Sequence, residues 1–484
     1  MAIDSGKPTQ NKKGKADAAR PAQASPRQPL LIHVALGLTL LLAAGLRFYR
    51  LAGQSLWSDE GNSVALAQVG LSEIAARTAF DIHPPLYYWL LHAWIRFFGR
   101  SEVAVRSLSV VVGVLLVAVV YQLGKQLFDS RVGLLAAFIA AVSPFLVYYS
   151  QEARMYALLA LFGAVVVWAT VGLMSHEGRV TRSEEPRSSK PATRYFFLLT
   201  YYSLLYVVFV TLGLYTHYAF PLVLVATNVA FLTHLWRTRG EGSFGWRLVG
   251  WLVLQLIPLA LYLPWLPIAW RQLTTWSAPS SQAGNAPVIL WRTLVLGPIG
   301  QRANSLWLVV FGLLGLVGIV RLVRRGTLPQ VALILLYLGL PVVLTLILFR
   351  PAYLKFLLVA SPALCLLLAL ALTKGPAKKG VPIGGWLVAG LVVLAAWMPL
   401  MAYYTDPAVA RDDYRGIARY LEAVAGPEDA ILLNAAGQQE VFGYYYDGDT
   451  SVHPLPRHRP LDPGATQAEL EGILARSRRI FTLY

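Results

Sequence analysis

Residues 30–49 read LLIHVALGLTLLLAAGLRFY, and WSDEG follows at 57–61. A run of about twenty predominantly apolar residues is the length an α-helix needs to cross a bilayer. The carboxylates of Asp59 and Glu60 therefore stand one loop beyond a membrane edge. There an acidic pair costs little, whereas at mid-bilayer each carboxylate would cost roughly 2.5–3.5 kcal/mol. The pair is placed for acid–base or ion chemistry at a membrane surface.

Similar apolar runs recur along the chain. Of its 484 residues 56% are hydrophobic, against about 45–50% in soluble domains. Candidate spans fall at about 30–49, 102–124, 131–149, 156–174, 195–214, 218–236, 247–266, 304–322, 328–348, 356–373 and 384–404. With about eleven crossings the chain reads as an all-α polytopic membrane protein. The formal charge is +17, but the basic residues sit in short loops between apolar runs, as the positive-inside rule requires. No nucleic-acid partner is expected. Cys365 is the only cysteine. It lies in an apolar run, reads as packing, and allows no disulfide within the chain.

Residues 1–29 are polar and rich in Lys, Ala, Pro and Ser. They read as a disordered basic cytoplasmic tail rather than a cleavable signal. Loops on that side then hold Lys125 and Arg131; Arg179, Arg182, Arg187, Lys190 and Arg194; Arg237, Arg239 and Arg247; Arg321, Arg324 and Arg325; and Lys374, Lys378 and Lys379. Pro84–Phe98 is apolar but short for a span, and its Trp and Tyr prefer the interface. Read as an outer interfacial helix, it keeps every later loop in register. Residues 30–404 thus form the membrane domain. Residues 405–484 read as a small α/β extracytoplasmic unit, with strands at 430–435 and at the final RIFTLY; the sequence stops on that strand, as an incomplete domain would.

Five short segments on the expected outer side carry chemistry. In WSDEG, Ser58 can cap a helix with Asp59 and Glu60 in its first turn, a purely structural role. In DIHPPLYYW (81–89), His83 precedes two prolines and is either a turn residue, a hydrogen-bond donor to a phosphate or a metal ligand. In YYSQEARMYALL (148–159), Gln151, Glu152 and Arg154 lie in a turn too short to leave the membrane face. In YTHYAF (215–220), His217 is flanked by Tyr215 and Tyr218 as site-lining or packed residues. In RPAYLKF (350–356), Arg350 and Lys355 either snorkel to the interface or bind phosphate. A divalent metal is a further option for His83 and His217, although the spacing matches no dedicated metal motif.

A carboxylate base with cations for phosphate fits transfer from a lipid-linked phosphate ester to a hydroxyl. One base opposite one leaving group implies inversion; retention calls for a second carboxylate as nucleophile.

WSDEG, HPPLYYWLLHAW and YYSQEARMYALL, in that order, resemble the GT-C glycosyltransferases. The likeness is to bacterial glycosyltransferase family 39, with its relatives the protein O-mannosyltransferases, the lipid A aminoarabinose transferases and the RgtA/B/C/D-like group. It covers about residues 30–373. The resemblance implies Asp59 as catalytic base with Glu60 supporting the site, and Gln151, Glu152 and Arg154 near the donor. It implies His83 near the donor phosphate, where relatives often have Lys. Many relatives carry Arg-Tyr in the segment matching RPAYLKF; here Ala352 precedes Tyr353, and Arg350 or Lys355 takes that Arg's place. The expected enzyme is an inner-membrane glycosyltransferase using a polyprenyl-phosphate sugar and a lipid, glycan or protein acceptor. A lipid-linked sugar transporter is the main alternative. It calls for ionisable residues at mid-bilayer, whereas these spans are nearly clear of charge. A non-catalytic scaffold gives no reason for acids and cations to gather in the early loops.

Overall fold

The computed structural model describes residues 27–180, 189–240, 244–275, 285–300, 304–348, 350–373, 383–434, 436–457 and 461–483. The tail before residue 27 and the basic positions Arg182, Arg187, Lys374, Lys378 and Lys379 lie outside them. In chain order the first helices are α1 (Arg27–Phe48), α2 (Ser58–Ala67), α3 (Leu71–Thr78), α4 (Leu86–Phe98), α5 (Glu102–Leu127), α6 (Ser130–Val142), α7 (Pro144–Ser150), α8 (Tyr156–Val180), α9 (Ser189–Leu214) and α10 (Pro221–Arg237). There follow α11 (Phe244–Tyr262), α12 (Leu266–Thr275), α13 (Ala286–Leu296), α14 (Leu306–Arg325), α15 (Leu328–Ile347), a 3₁₀ segment (Pro351–Ala360), α16 (Ser361–Leu372) and α17 (Ile383–Thr405). The last part holds α18 (Tyr414–Val424), β1 (Ala430–Leu433), α19 (Gln439–Tyr445), β2 (Ser451–Pro454), α20 (Pro463–Arg476) and β3 (Ile480–Leu483).

Among the described residues eight helices are long and apolar enough to span a bilayer, and α6 with α7 makes a ninth if that bent pair is one crossing. The two other expected spans coincide with α10, 17 residues long, and with α17. α8 and the segment 353–372 are the inner helices, with most of their surface covered by the rest of the bundle. α4 is 13 residues long, about 20 Å at 1.5 Å per residue, too short for a core of about 30 Å. It packs Leu86, Tyr87, Tyr88 and Leu91 inward against α2 and α5.

Two expected spans are not continuous helices. The run 131–149 bends by 60° between α6 and α7. Pro144 causes this: it has no N–H to give the carbonyl of Ala140 four residues back. Arg47, fully buried near the end of α1, supplies the missing donors. Its Nη2 donates to Ala140 O (3.1 Å), its Nη1 to Ala141 O (3.0 Å) and its Nε to Ser150 Oγ (3.1 Å). Gly113 of α5 makes room, since a Cβ there would lie 2.2 Å from Ser150 Oγ. Likewise the run 356–373 begins in the 3₁₀ segment and becomes α-helical only at Ser361.

The helix ends sort into two sets. Asp129 meets Arg325 (3.8 Å), and Arg321 donates to the carbonyls of Leu370 and Ala371, at one end of the bundle. The other end gathers α2–α4, the turns 151–155 and 215–220, the start of the 3₁₀ segment, and residues 406–483. There β1 pairs in parallel with β2 and with β3, giving the order β2-β1-β3. The strands expected at 430–435 and at RIFTLY form; β2 was not anticipated. α18 buries Tyr414, Ala418 and Leu421, one helical face. α19 crosses α2 at Gly61, where a Cβ would meet the Val441 backbone at 2.5 Å.

α2 itself is held by Glu60. Trp57, not Ser58, stands at the N-cap, and Glu60 accepts from Trp57 N at 3.4 Å. The Glu60 carboxylate is fully buried. It also accepts from Arg106 Nε (2.9 Å) and Nη2 (2.6 Å), from Ala153 N (2.8 Å) and from Arg411 Nη1 (3.2 Å). Arg106 in turn donates to the carbonyls of Leu51, Gln54 and Ser55. One ion pair therefore ties α5, the loop 51–57, the turn at Ala153 and the chain after α17.

Two predictions follow from these buried groups. Arg47→Ala orphans two buried carbonyls, each worth about 1–3 kcal/mol, so thermal unfolding in detergent occurs at lower temperature, with Arg47→Lys intermediate. Glu60→Gln leaves Arg106 unpaired and costs about 3–5 kcal/mol, read as loss of the monodisperse species. Burial raises the Glu60 pKa, but Arg106 and Arg411 outweigh it and the net shift is downward. Its contribution to stability is therefore full above the ordinary Glu range near ~4.3 and is lost only as pH falls through the lower folded value. A pH–stability curve of wild type against Glu60→Gln converging at strong acid checks the sign.

Candidate functional site

Asp59 is the residue next to that knot, but its side chain takes the opposite role. It is 29% exposed, while Glu60 is 0% exposed. The helical turn sends adjacent side chains about 100° apart, so one acid seals the fold and the other faces open space. Asp59 Oδ2 lies 3.4 Å from Lys355 Nζ and 3.5 Å from Arg154 Nη2. Arg154 is further fixed by Nη1 bonds to Asp59 O and Ser63 Oγ, each 3.2 Å. Both cations also lie over the Tyr156 ring, Lys355 at 4.9 Å and Arg154 at 5.8 Å from its centroid. Burial alone would raise the Asp59 pKa, but Arg154 and Lys355 hold it below its ordinary value. At neutral pH Asp59 is an ionised carboxylate flanked by two cations.

The histidines close the far side. His83 and His217 are both buried, with ring centroids 5.9 Å apart. His83 Nδ1 is 3.6 Å from Asp81 Oδ2. His217 Nδ1 accepts from Ala219 N at 3.0 Å, which leaves its proton on Nε2. The His217 ring packs on Phe356, which stacks on Tyr353. Burial holds both imidazoles below their ordinary pKa, helped by the positive charge of Arg154 and Lys355. They are neutral donors or acceptors near pH 7.

The expected site residues thus divide. Arg154 and Lys355 each contact Asp59; His83 and His217 pack beside them, and Tyr353 joins through Phe356. Gln151 does not join; it donates to Arg47 O (2.7 Å) and Tyr49 O (2.9 Å) and clamps the end of α1. Arg350 reaches Tyr353 Oη (3.1 Å) rather than Asp59. Tyr218 bonds to Gln272 and accepts from Trp265 Nε1 (3.2 Å), docking α12. Two other cations at this end of the chain's helices serve structure: Arg271 donates to Ala79 O and Arg292 to Ser305 Oγ. Glu152 is 2% exposed and turns away to Arg411, with Oε1 2.6 Å from Arg411 Nη2. Burial raises its pKa.

Sequence reasoning missed Arg106, Arg411 and Ser63. Arg106 offered a signal, a lone arginine in an otherwise apolar span. Arg411 offered only its place in a polar tail.

Among the described residues no group of three His, Cys, Asp or Glu side chains forms that could hold a metal ion. The Asp59 carboxylate already faces two cations, Arg154 and Lys355. A carboxylate so paired does not fit a bound divalent ion.

The family described as dolichyl-phosphate-mannose-protein mannosyltransferase matches residues 82–180, which run from Ile82 through α4–α8 and include His83, Glu152 and Arg154. No curated protein matches the sequence. In fold the chain is similar to ArnT from Cupriavidus metallidurans in the apo state (TM-score 0.58, 12% identity, 89% of this chain and 86% of that one). ArnT bound to undecaprenyl phosphate gives 0.56 at 14% identity, over 94% and 90%. It is also similar to the Archaeoglobus fulgidus oligosaccharyltransferase tethered with an acceptor peptide (0.54, 12% identity, 88% of this chain), of which it spans 64%. The chain is thus similar in fold to these membrane proteins, and over residues 82–180 it matches that family.

Proposed function

We propose that the chain moves a sugar from a polyprenyl-phosphate donor to an extracytoplasmic hydroxyl, with inversion, and that Asp59 is the general base. The observation that carries this reading is an accessible carboxylate, Asp59, held between Arg154 and Lys355 at one end of a membrane bundle. The acceptor oxygen attacks the anomeric carbon as the bond from that carbon to the phosphate oxygen breaks. The phosphate leaves with the bonding electron pair, and the acceptor proton passes to Asp59. Arg154 and Lys355 stabilise the charge developing on the departing phosphate. His83, buried beside them, turns its Nδ1 toward the Asp81 carboxylate and lines the site.

The cations that make Asp59 a weak base are the ones the donor needs. An arriving phosphate competes for Arg154 and Lys355, and as they turn to it the Asp59 carboxylate becomes more basic. Base strength then appears only with donor bound. The end of the bundle bearing Asp59 lies on the extracytoplasmic side of the plasma membrane in this reading. The tail is cytoplasmic, the opposite end carries the Lys125, Arg131, Arg321 and Arg325 cluster, and the last domain sits beside the acceptor, which is a lipid, glycan or protein hydroxyl.

Asp59→Asn is expected to lower sugar transfer in reconstituted membranes by about 10²–10⁴-fold while still binding undecaprenyl phosphate. Arg154→Ala and Lys355→Ala are expected to weaken that binding by about tenfold or more each, since a hydrogen bond to a charged group is worth about 1.5–3 kcal/mol. Wild-type transfer by Asp59→Asn removes it as base. Unchanged binding in both cation variants removes the phosphate role.

A further inference from the structure

We propose that Arg411, carried by the segment that leads into the C-terminal α/β unit, is a positioning residue for transfer: it engages Glu152 so that Arg154 and Lys355 remain on Asp59. The inference rests on the reading of Asp59 as base.

Arg411 is an unusual side chain for an exterior unit. Its guanidinium is largely buried, 5.4 Å from the centre of the Trp57 ring and 5.1 Å from that of Tyr148. It donates to Glu152 Oε1 (2.6 Å) and Glu60 Oε2 (3.2 Å). Its own N–H goes to Gln54 Oε1 (3.2 Å), and Asp412 O accepts from Ser55 Oγ (2.7 Å). Arg415 adds a bond to Ala52 O. Tyr445 Oη accepts from Leu56 N (2.7 Å) and bonds to Glu102. The C-terminal unit thus grips the loop that aims Asp59 and drives one guanidinium between two buried carboxylates.

Charge supply explains why that matters. Glu60 has Arg106 and the Ala153 N–H even without Arg411. Glu152 has no such reserve: its Oε2 is buried without a hydrogen-bond partner. The charged groups acting on Glu152 are Arg411, Glu60, Lys355 and Arg154, beside the Tyr148 and Tyr149 rings. Those acting on Asp59 are Arg154 and Lys355, the neutral His83 ring lying near. Arg154 and Lys355 appear in both sets. Arg154 moreover has a buried Nε with no hydrogen-bond partner, a donor still to be satisfied. With Arg411 in place Glu152 Oε1 is paired and Asp59 keeps its cations. Without it, an uncompensated buried carboxylate takes a shared cation or a proton. The first outcome strips Asp59 and disorders the phosphate site.

The test uses the full chain in nanodiscs, with undecaprenyl phosphate as binding probe and sugar transfer as rate. Arg411→Ala is expected to lower transfer by about tenfold or more and to move the acid limb of the pH–rate profile upward, because Asp59 has lost positive neighbours. It also weakens undecaprenyl phosphate binding. Arg411→Lys retains part of each. Adding Glu152→Gln to Arg411→Ala is expected to return the acid limb toward wild type and to recover rate, since no unpaired acid then competes. A double variant no better than Arg411→Ala, or one that fails to fold, makes Arg411 a fold residue only and overturns the proposal. So does Arg411→Ala with an unchanged pH profile. If Asp59→Asn is active, the reading beneath the proposal fails instead, which separates the two.

Discussion

A carboxylate taken out of water needs a cation and hydrogen bonds or it will not stay ionised. At one end of this bundle three acids come together from two turns, Asp59 and Glu60 from the first and Glu152 from the second. Four cations from four different elements answer them: Arg106 from α5, Arg154 from the turn before α8, Lys355 from the 3₁₀ segment and Arg411 from beyond α17. Because each cation arrives on a separate element, satisfying the acids and assembling the site are one event. The loop 51–57 that leads into α2 and Asp59 has no regular structure of its own to hold it; it is fixed by Arg106, which spans three of its carbonyls, and by the C-terminal unit.

The membrane part of the fold supports this by local departures from ideal helix. The break at Pro144 allows α7 to turn and deliver the 150–155 segment, with Arg47 repairing the carbonyls that the proline leaves open. The 3₁₀ segment does the same for Tyr353 and Lys355, which a continuous helix from residue 351 would present at a different angle. Both irregularities lie where irregular backbone is tolerated in membrane proteins, buried against neighbouring protein.

Much of this was legible in the sequence. Span length and hydropathy located the membrane helices, and the short aromatic run 84–98 proved to be a short helix because its length fits no crossing. The order of acidic, histidine and basic motifs brought Asp59, Arg154 and Lys355 to one place. What sequence could not resolve was division of labour. Asp59 and Glu60 are adjacent and chemically alike, and only the helix phase decides which is sealed against Arg106 and which is open. Gln151, Tyr218 and Arg350 sit in motifs near the site yet bond elsewhere, since a motif fixes proximity along the chain and not direction. Arg411 lies some 350 residues from Glu60 in sequence, and no local pattern records that pairing.

The central claim is that Arg154 and Lys355 are shared between Asp59 and an incoming lipid phosphate. An experimental structure of the full chain with undecaprenyl phosphate bound addresses it most directly. The account predicts the phosphate within hydrogen-bond distance of Arg154 and Lys355, with both cations drawn off Asp59 Oδ2. A phosphate seated elsewhere, with the Asp59 contacts to Arg154 and Lys355 unchanged, would contradict it.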